Sequence, residues 1–204
     1  DLNENLKPEL SVVIPTYNEK ENLLILIPEI ARVLSQIRHE IVVVDDSSPD
    51  GSGQTVLDLA AAGYAVRLIT KKEKEGIGTA LRVVYHAAEG QRIASMDADL
   101  SFETQDLIRF MGILDAGADL VVGNRYERAE LYEASQWPIK IKHGLSYAGN
   151  FLLSFLTGIP VRDYSANFRM IRREVWDKIR PREKTNVDLF EMIIKCWAQG
   201  YTVD

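Results

Sequence analysis

The 204-residue sequence predicts an α/β fold, a mostly parallel sheet with helices on both faces and a helical and loop region appended after it. Three observations carry this reading. Short apolar runs alternate with amphipathic stretches through the first two-thirds of the chain, the pattern of βαβ units. The runs are rich in β-branched residues, which suits strands covered on both faces. Polar residues recur just after the runs, where an open parallel sheet gathers its ligand-facing loops.

Taken in order, Leu10–Pro15 (LSVVIP) reads as the first buried strand, and Glu21–Ile37 has helical spacing. Ile41–Val44 (IVVV) is the second strand, and Ser52–Ala62 the helix after it, with Ser52 as its N-cap. Ala65–Thr70 is a strand and Gly78–Ala88 a helix, entered through Gly76-Ile77-Gly78-Thr79. Gln91–Met96, Thr104–Leu114 and Asp119–Gly123 continue as strand, helix and strand. Crossovers between the strands are expected to be right-handed. After Asn124 the pattern changes. Arg125–Lys142 is charged and irregular, Asp163–Arg169 reads as a loop, and helices are expected near Arg173–Ile179 and Val187–Gln199. The length predicts one domain over 1–204. Residues 10–124 form its sheet half, and 125–204 a half that shapes a pocket over the sheet. The chain begins without Met and stops directly after a segment that reads as a strand starting, so both ends read as trimmed.

Composition narrows the function classes. Hydrophobic content of 46% and charged content of 26% exclude collagen, a disordered tail and a multispan membrane protein. A net charge of −6 argues against bulk nucleic-acid binding. The lone Cys196 excludes an intrachain disulfide, fits a reducing compartment and leaves no Cys-based zinc site. His39, His86 and His143 show no metal spacing. Gly144–Val161 carries no charge over 18 residues, enough for a membrane span by length alone. Its Gly, Pro, Asn, Ser and Thr residues favour a buried or interfacial helix instead.

The polar punctuation falls at four strand ends: Thr16-Tyr17-Asn18-Glu19, Asp45-Asp46-Ser47-Ser48, Asp97-Ala98-Asp99 and Gly123-Asn124-Arg125. Together they aim acids, hydroxyls and a cation into one crevice. Asp97 and Asp99, two residues apart, are suited to share a hard cation such as Mg²⁺ or Mn²⁺ whose shell phosphate oxygens complete. The alternative is a pair of solvated acids, one of them capping the next helix. Pro49, Asp50 and Gly51 are turn residues. A carboxylate of the Asp45-Asp46 pair can accept from a ribose hydroxyl or a base NH. The Lys71–Glu75 charge run reads as a solvated loop.

Three ordered segments resemble the inverting family 2 glycosyltransferases of the GT-A, Rossmann-like fold: Val13-Ile14-Pro15-Thr16-Tyr17-Asn18-Glu19, Val44-Asp45-Asp46-Ser47-Ser48-Pro49-Asp50-Gly51 and Met96-Asp97-Ala98-Asp99-Leu100-Ser101. Among them, the sequence is most similar to the dolichol-phosphate and polyprenyl-phosphate mannose and glucose synthases, from about Leu10 to Val203. The resemblance implies that Pro15, Tyr17 and Glu19 contact the nucleotide base, and that Val44 and Asp46 line base and ribose. Asp97 and Asp99, with Ala98 close by, would hold Mg²⁺ or Mn²⁺ against the donor diphosphate. Ser101 stands where some members carry a further glutamine ligand. Arg125 and Ser146 match acceptor-phosphate residues. Lys142 falls where the lipid-phosphate synthases place arginine, and lysine keeps the charge without the bidentate fork. Asp163–Arg169 (DYSANFR) resembles an Asp-x-Thr-Ser-Gly-Phe-Arg stretch, with Ala166 and Asn167 replacing small residues, and Glu191-Met192 matches a Glu-Met on a late helix. A donor-phosphate motif and transmembrane helices that many members carry would lie beyond residue 204.

The implied reaction moves a hexose from GDP-mannose or UDP-glucose to dolichyl or polyprenyl phosphate with inversion. Asp99, Arg125 and Lys142 are the expected catalytic residues, acting through electrostatics and positioning. The acceptor implies work at the cytoplasmic face of a membrane. The uncharged segment beside Lys140, Lys142 and Arg162 is the candidate contact with that surface. Rival expectations are a glycan or soluble acceptor, with Asp163, Asp188 or Glu191 as catalytic carboxylate, and an inactive nucleotide-sugar-binding module. A nucleotidyltransferase would need a Gly-rich basic loop after the first strand, which Thr16–Lys20 lacks.

Overall fold

The computed structural model describes residues 7–71, 85–124, 150, 153–181 and 187–204. The elements are β1 (Leu10–Thr16), α1 (Lys20–Val33), β2 (His39–Asp45), α2 (Ser52–Ala61), β3 (Val66–Thr70), β4 (Arg92–Ser95), α3 (Asp106–Asp115), β5 (Leu120–Val122), β6 (Arg169–Arg172), α4 (Arg173–Ile179) and α5 (Val187–Ala198). Residues 85–87 and 153–157 are also helical.

The six-stranded sheet has the order β3-β2-β1-β4-β6-β5. β1 pairs in parallel with β2 along its whole length, Leu10 opposite His39 and Thr16 opposite Asp45. β2–β3 and β1–β4 are also parallel. This is the mostly parallel α/β sheet that the alternation predicts. Val203, in the segment that reads as a strand starting, forms a parallel bridge to Leu120.

β6 departs from the sequence reading. The expectation runs a loop to Arg169 and a helix from Arg173, with no strand between. Instead Arg169–Arg172 lies antiparallel between β4 and β5, Ile93 opposite Ile171 and Val121 opposite Met170. Four residues with an arginine at each end carry no strand periodicity. Each arginine donates to a carbonyl distant in the chain. Arg169 is fully buried and donates to the carbonyl oxygens of Leu189 (2.8 Å) and Ala166. Arg172 donates to that of Ala118 (3.0 Å).

The period of two along each strand divides the core into two layers. Leu10, Val12, Ile14, Ile41 and Val43 pack with Leu23, Ile27, Ile30, Leu107 and Leu114 of α1 and α3 on one face. Val13, Val42, Val44 and Ile93 pack with Tyr85, Trp176, Ile193 and Cys196 on the other. Tyr85 stacks on Trp176 with centroids 4.4 Å apart. Each fully buried aliphatic side chain contributes about 1.5–3 kcal/mol, which holds the strand ends at a fixed level.

Among the described residues, no helix is long and apolar enough to cross a membrane. Of the uncharged Gly144–Val161 segment, residues 150 and 153–161 are described. Ile159 and Val161 are buried, whereas Phe155 and Leu156 are 76% and 69% exposed.

Candidate active site

β1, β2 and β4 run in the same direction, so their carboxyl ends deliver three loops to one edge of the sheet. There they enclose a cleft of about 330 Å³ lined by Pro15, Thr16, Tyr17, Glu19, Asp46, Asp97, Ala98 and Asp99. Residues from three separate sequence motifs meet here. Thr16 heads the first polar strand-end segment but is the one lining residue to which the sequence reading assigned no particular contact.

The first two loops lock together through side chains. Glu19, at the N-cap of α1, makes no capping bond with its own side chain. The amides there are satisfied from the β2–α2 loop instead: Asn18 N donates to Ser48 Oγ (2.9 Å), Glu19 N to Ser52 Oγ (3.0 Å) and Lys20 N to Asp50 Oδ2 (3.1 Å). Asp50 Oδ1 accepts from the Ser52 amide (2.9 Å) and hydroxyl (2.6 Å). Slight burial pushes the Asp50 carboxyl upward, but the Ser52 and Lys20 donors outweigh it and hold the group below its ordinary value. Ser52 therefore differs from the sequence expectation. It is the first residue of α2, behind a Gly51 N-cap with φ of +91°, and its hydroxyl serves α1. Asn18 and Ser47 both adopt positive φ, +59° and +60°. These bonds compensate backbone strain of a kind that concentrates at functional loops.

The adjacent carboxylates Asp45 and Asp46 have separate roles. Asp45 turns inward, accepting from Ser48 N (3.1 Å) and from the Ser48 hydroxyl. Asp46 lines the cleft, 8% exposed, with Lys71 Nζ at 3.4 Å from its Oδ1. Lys71 is thus 9% exposed and ion-paired, not the solvated residue its charge run suggested. The backbone explains this: Lys71 N donates to Asp45 O (3.0 Å), which extends the β2–β3 ladder past the strand end. Val44 is fully buried in the second core layer, beneath the cleft and not among its lining residues.

At the third loop, Ala98 is buried, Asp97 half-buried and Asp99 exposed. Asp99 Oδ1 accepts the Ser101 amide at 3.0 Å, which closes a tight turn over Leu100. Leu100 has φ of +59°, and a non-glycine residue there costs on the order of 1–3 kcal/mol. Ser101 is tied to Asp99 through its backbone and is not a cleft-lining residue. Asp97 Oδ1 accepts from Asn167 Nδ2 at 2.9 Å. Asn167 belongs to the segment leading into β6, so the unpredicted strand brings it to β4. At this level Gly123 presses on the neighbouring residue. Its amide donates to Phe168 O at 2.7 Å, and a Cβ there would lie 2.9 Å from that oxygen.

No group of three or more His, Cys, Asp or Glu side chains gathers around a common point among the described residues. The fit to a divalent ion rests on Asp97, Asp99 and the buried Asn167 amide oxygen, which has no hydrogen-bond partner among the described residues. These are hard oxygen donors. Mg²⁺ and Mn²⁺ need only one or two carboxylates when phosphate oxygens and water complete the shell.

Asp163, 1% exposed, accepts from Ser165 N (3.1 Å), Ser165 Oγ (2.8 Å) and Asn150 Nδ2 (3.5 Å). Those bonds make it a turn-forming carboxylate. Glu191 pairs with Lys195 at 2.6 Å one helical turn away. Arg125, Lys142, Ser146 and Gly76-Ile77-Gly78-Thr79 lie outside the described residues, and the side chain of Asp188 is outside them too.

Residues 11–180 match the model of glycosyl transferase family 2, and the chain belongs to that family. It is 37% identical over 172 residues to a polyprenol monophosphomannose synthase of Mycolicibacterium smegmatis, covering 82% of this chain and 63% of the relative. It is 31% identical over 190 residues to a dolichol-phosphate mannosyltransferase of Pyrococcus furiosus, covering 92% of this chain and 53% of that one. The chain therefore spans less than two-thirds of these relatives. Among solved structures it resembles a mannosyltransferase of Pyrobaculum calidifontis in complex with GDP-Man and Mn²⁺, with a TM-score of 0.65 and 19% identity over 97% of this chain and 54% of that one. The fold is the GT-A glycosyltransferase fold that the three motifs lead one to expect.

Proposed function

We propose that the chain carries the donor-binding and transfer site of a polyprenyl-phosphate hexosyltransferase, moving mannose or glucose from a nucleotide diphosphate to a polyprenyl or dolichyl phosphate with inversion. The observation that carries this is the cleft itself, where Asp46, Asp97 and Asp99 converge with Pro15 and Tyr17 at the sheet's carboxyl edge. The polyprenol- and dolichol-phosphate names of the relatives support the acceptor class. GDP-Man and Mn²⁺ in the structural neighbour support a sugar nucleotide and a divalent ion.

Pro15 and the 41%-exposed Tyr17 offer an apolar platform for a nucleoside, and Asp46 offers an acceptor for its NH or hydroxyl groups. The Asp50, Ser48 and Ser52 bonds hold that platform in place. Asp97 and Asp99 would hold Mg²⁺ or Mn²⁺, which neutralises the departing diphosphate when bound. A phosphate acceptor is already anionic near neutral pH, so the protein's task is alignment rather than deprotonation. Of the carboxylates a glycan acceptor would use as base, Asp163 is engaged in turn-forming bonds and Glu191 in an ion pair with Lys195. Arg125, Lys142 and Ser146 are assigned to the acceptor phosphate on the family resemblance. The exposed Phe155 and Leu156, in the uncharged segment beside Arg162, suit docking on the cytoplasmic membrane surface where such an acceptor resides.

The test supplies polyprenyl phosphate in anionic vesicles, Mg²⁺ or Mn²⁺, and radiolabelled GDP-mannose or UDP-glucose. Label passing into the organic phase with one donor, in a metal-dependent manner, supports the reading. Transfer only to a soluble glycan, or donor binding without turnover in a chain extended past residue 204, refutes it.

A further inference from the structure

We propose that Asn167 is a further residue of the cation site. In this reading its amide NH₂ positions Asp97, and its amide oxygen accepts from a water ligand of the bound ion. The inference rests on the proposed use of Asp97 and Asp99 by a divalent ion.

Three features of the structure lead to it. Asn167 is 4% exposed, and its Nδ2 donates to Asp97 Oδ1 at 2.9 Å. The orientation of the amide follows from chemistry, because an ionised carboxylate only accepts hydrogen bonds and must face the nitrogen. The oxygen is consequently the group left over, buried and without a hydrogen-bond partner among the described residues. Buried polar atoms are nearly always satisfied in folded proteins, so one on an amide that holds a cleft-lining carboxylate calls for an explanation.

A loose rotamer does not explain it. The Asn167 carbonyl accepts from Ser95 Oγ at 2.6 Å, and Ser95 in turn accepts from the Tyr85 hydroxyl at 2.8 Å. The Asn167 backbone is fixed to β4 and its side chain to the loop that follows. Amide bond lengths place the free oxygen about 2.3 Å from Nδ2, and so within about 5 Å of Asp97 Oδ1. A hydrated ion bound at about 2.1 Å from a carboxylate oxygen reaches that distance through one of its own waters. Mg²⁺ in particular keeps several waters, and a fixed acceptor orients one of them. Asn167 is therefore a positioning residue that acts on the ion through Asp97 and through water.

The experiment titrates the full chain with Mn²⁺, followed by electron paramagnetic resonance, first with the metal alone and then with GDP and with UDP. Asn167→Ala and Asn167→Gly are compared with the unaltered chain and with Asp97→Asn. Loss of an outer partner of a metal ligand typically weakens binding about 10–100-fold. We expect that weakening for both Asn167 variants, with metal-free nucleotide affinity and melting temperature little changed. A merely structural Asn167 would lower the melting temperature and leave Mn²⁺ affinity within twofold, which overturns the proposal. If Asp97→Asn weakens Mn²⁺ binding and the Asn167 variants do not, the proposal alone fails. If Asp97→Asn also has no effect, the cation reading of the cleft fails with it. Should both Asn167 variants fail to fold, ¹⁵N-asparagine labelling of the unaltered chain decides. A shift of the Asn167 side-chain amide with Mg²⁺ and nucleotide supports the role, and an unmoved signal overturns it.

Discussion

Replacing Asp50 with alanine removes the carboxylate that ties the β1–α1 and β2–α2 loops together. In the structure it accepts from Lys20 N at 3.1 Å and from Ser52 N and Oγ at 2.9 and 2.6 Å. Hydrogen bonds to a charged group are worth about 1.5–3 kcal/mol when shielded, and loss of a helix cap costs about 0.5–2 kcal/mol. Asp50 is solvent-exposed, so screening brings the expected loss to the lower part of those ranges, about 1–2 kcal/mol. For a chain of this size that lowers Tm by about 2–8 °C. The effect depends on pH with a definite sign. A carboxyl held below its ordinary value of 3.8 contributes fully above that pH, and the contribution is lost as pH falls through the lower folded value. The gap in Tm between the unaltered and Asp50→Ala chains should therefore be widest near neutrality and close in acid. Calorimetry at a series of pH values measures it. Because Asp50 also orients the Ser52 hydroxyl that accepts from Glu19 N, nucleotide affinity should fall as well. An unchanged Tm at pH 7, or a gap that widens in acid, would show that the loops are held by something else.

Asp99→Ala should abolish the metal-dependent part of nucleotide binding while moving Tm by under about 2 °C, because the side chain is exposed. Thermal shifts with GDP and UDP, with and without Mn²⁺, test this, and an unchanged metal dependence would remove Asp99 from the site. Gly90→Ala would place a Cβ 2.6 Å from Ser11 N and 2.9 Å from Arg92 O, both backbone atoms that must then move. Overpacking of this kind costs about 1–3 kcal/mol. Denaturant unfolding should show that loss with nucleotide affinity intact, since Ser11 and Arg92 lie at the sheet edge away from the cleft. Burial and then Asp119 push the Cys196 thiol up to about 12, against the pull of Arg169. Iodoacetamide at pH 8 should leave it unmodified in the folded chain and alkylate it readily in urea. Fast labelling of the folded protein would contradict its place in the core.

The first five strands were legible because each is centred on a short apolar run, and that pattern is local information. The cleft was legible for a related reason. Parallel strands deliver their carboxyl ends to the same side of the sheet, so residues written at and just after those ends can meet, and Pro15, Tyr17, Glu19, Asp46, Asp97, Ala98 and Asp99 do. The proposal of a cation there rests on residue type, since two carboxylates two positions apart suit a hard cation.

What the sequence could not decide depends on partners distant in the chain. β6 is a strand because β4 and β5 leave an antiparallel slot between them and because Arg169 finds carbonyls of Ala166 and Leu189 to satisfy it. No four-residue window contains that information. The pairing of Asp46 with Lys71 is also tertiary, since the β2–β3 ladder brings Lys71 to the end of β2, whereas Asp45 is held locally by Ser48. Ser52 reads as a cap for its own helix and serves α1 instead, because the parallel register of β1 and β2 brings the two loops within hydrogen-bonding distance. Asn167 gains its place beside Asp97 only when β6 inserts next to β4 across 70 residues of chain. Local pattern determined which residues form the strands and what chemistry their ends can offer. Long-range pairing determined which of those groups are held rigid, which face the cleft, and which serve only to support it.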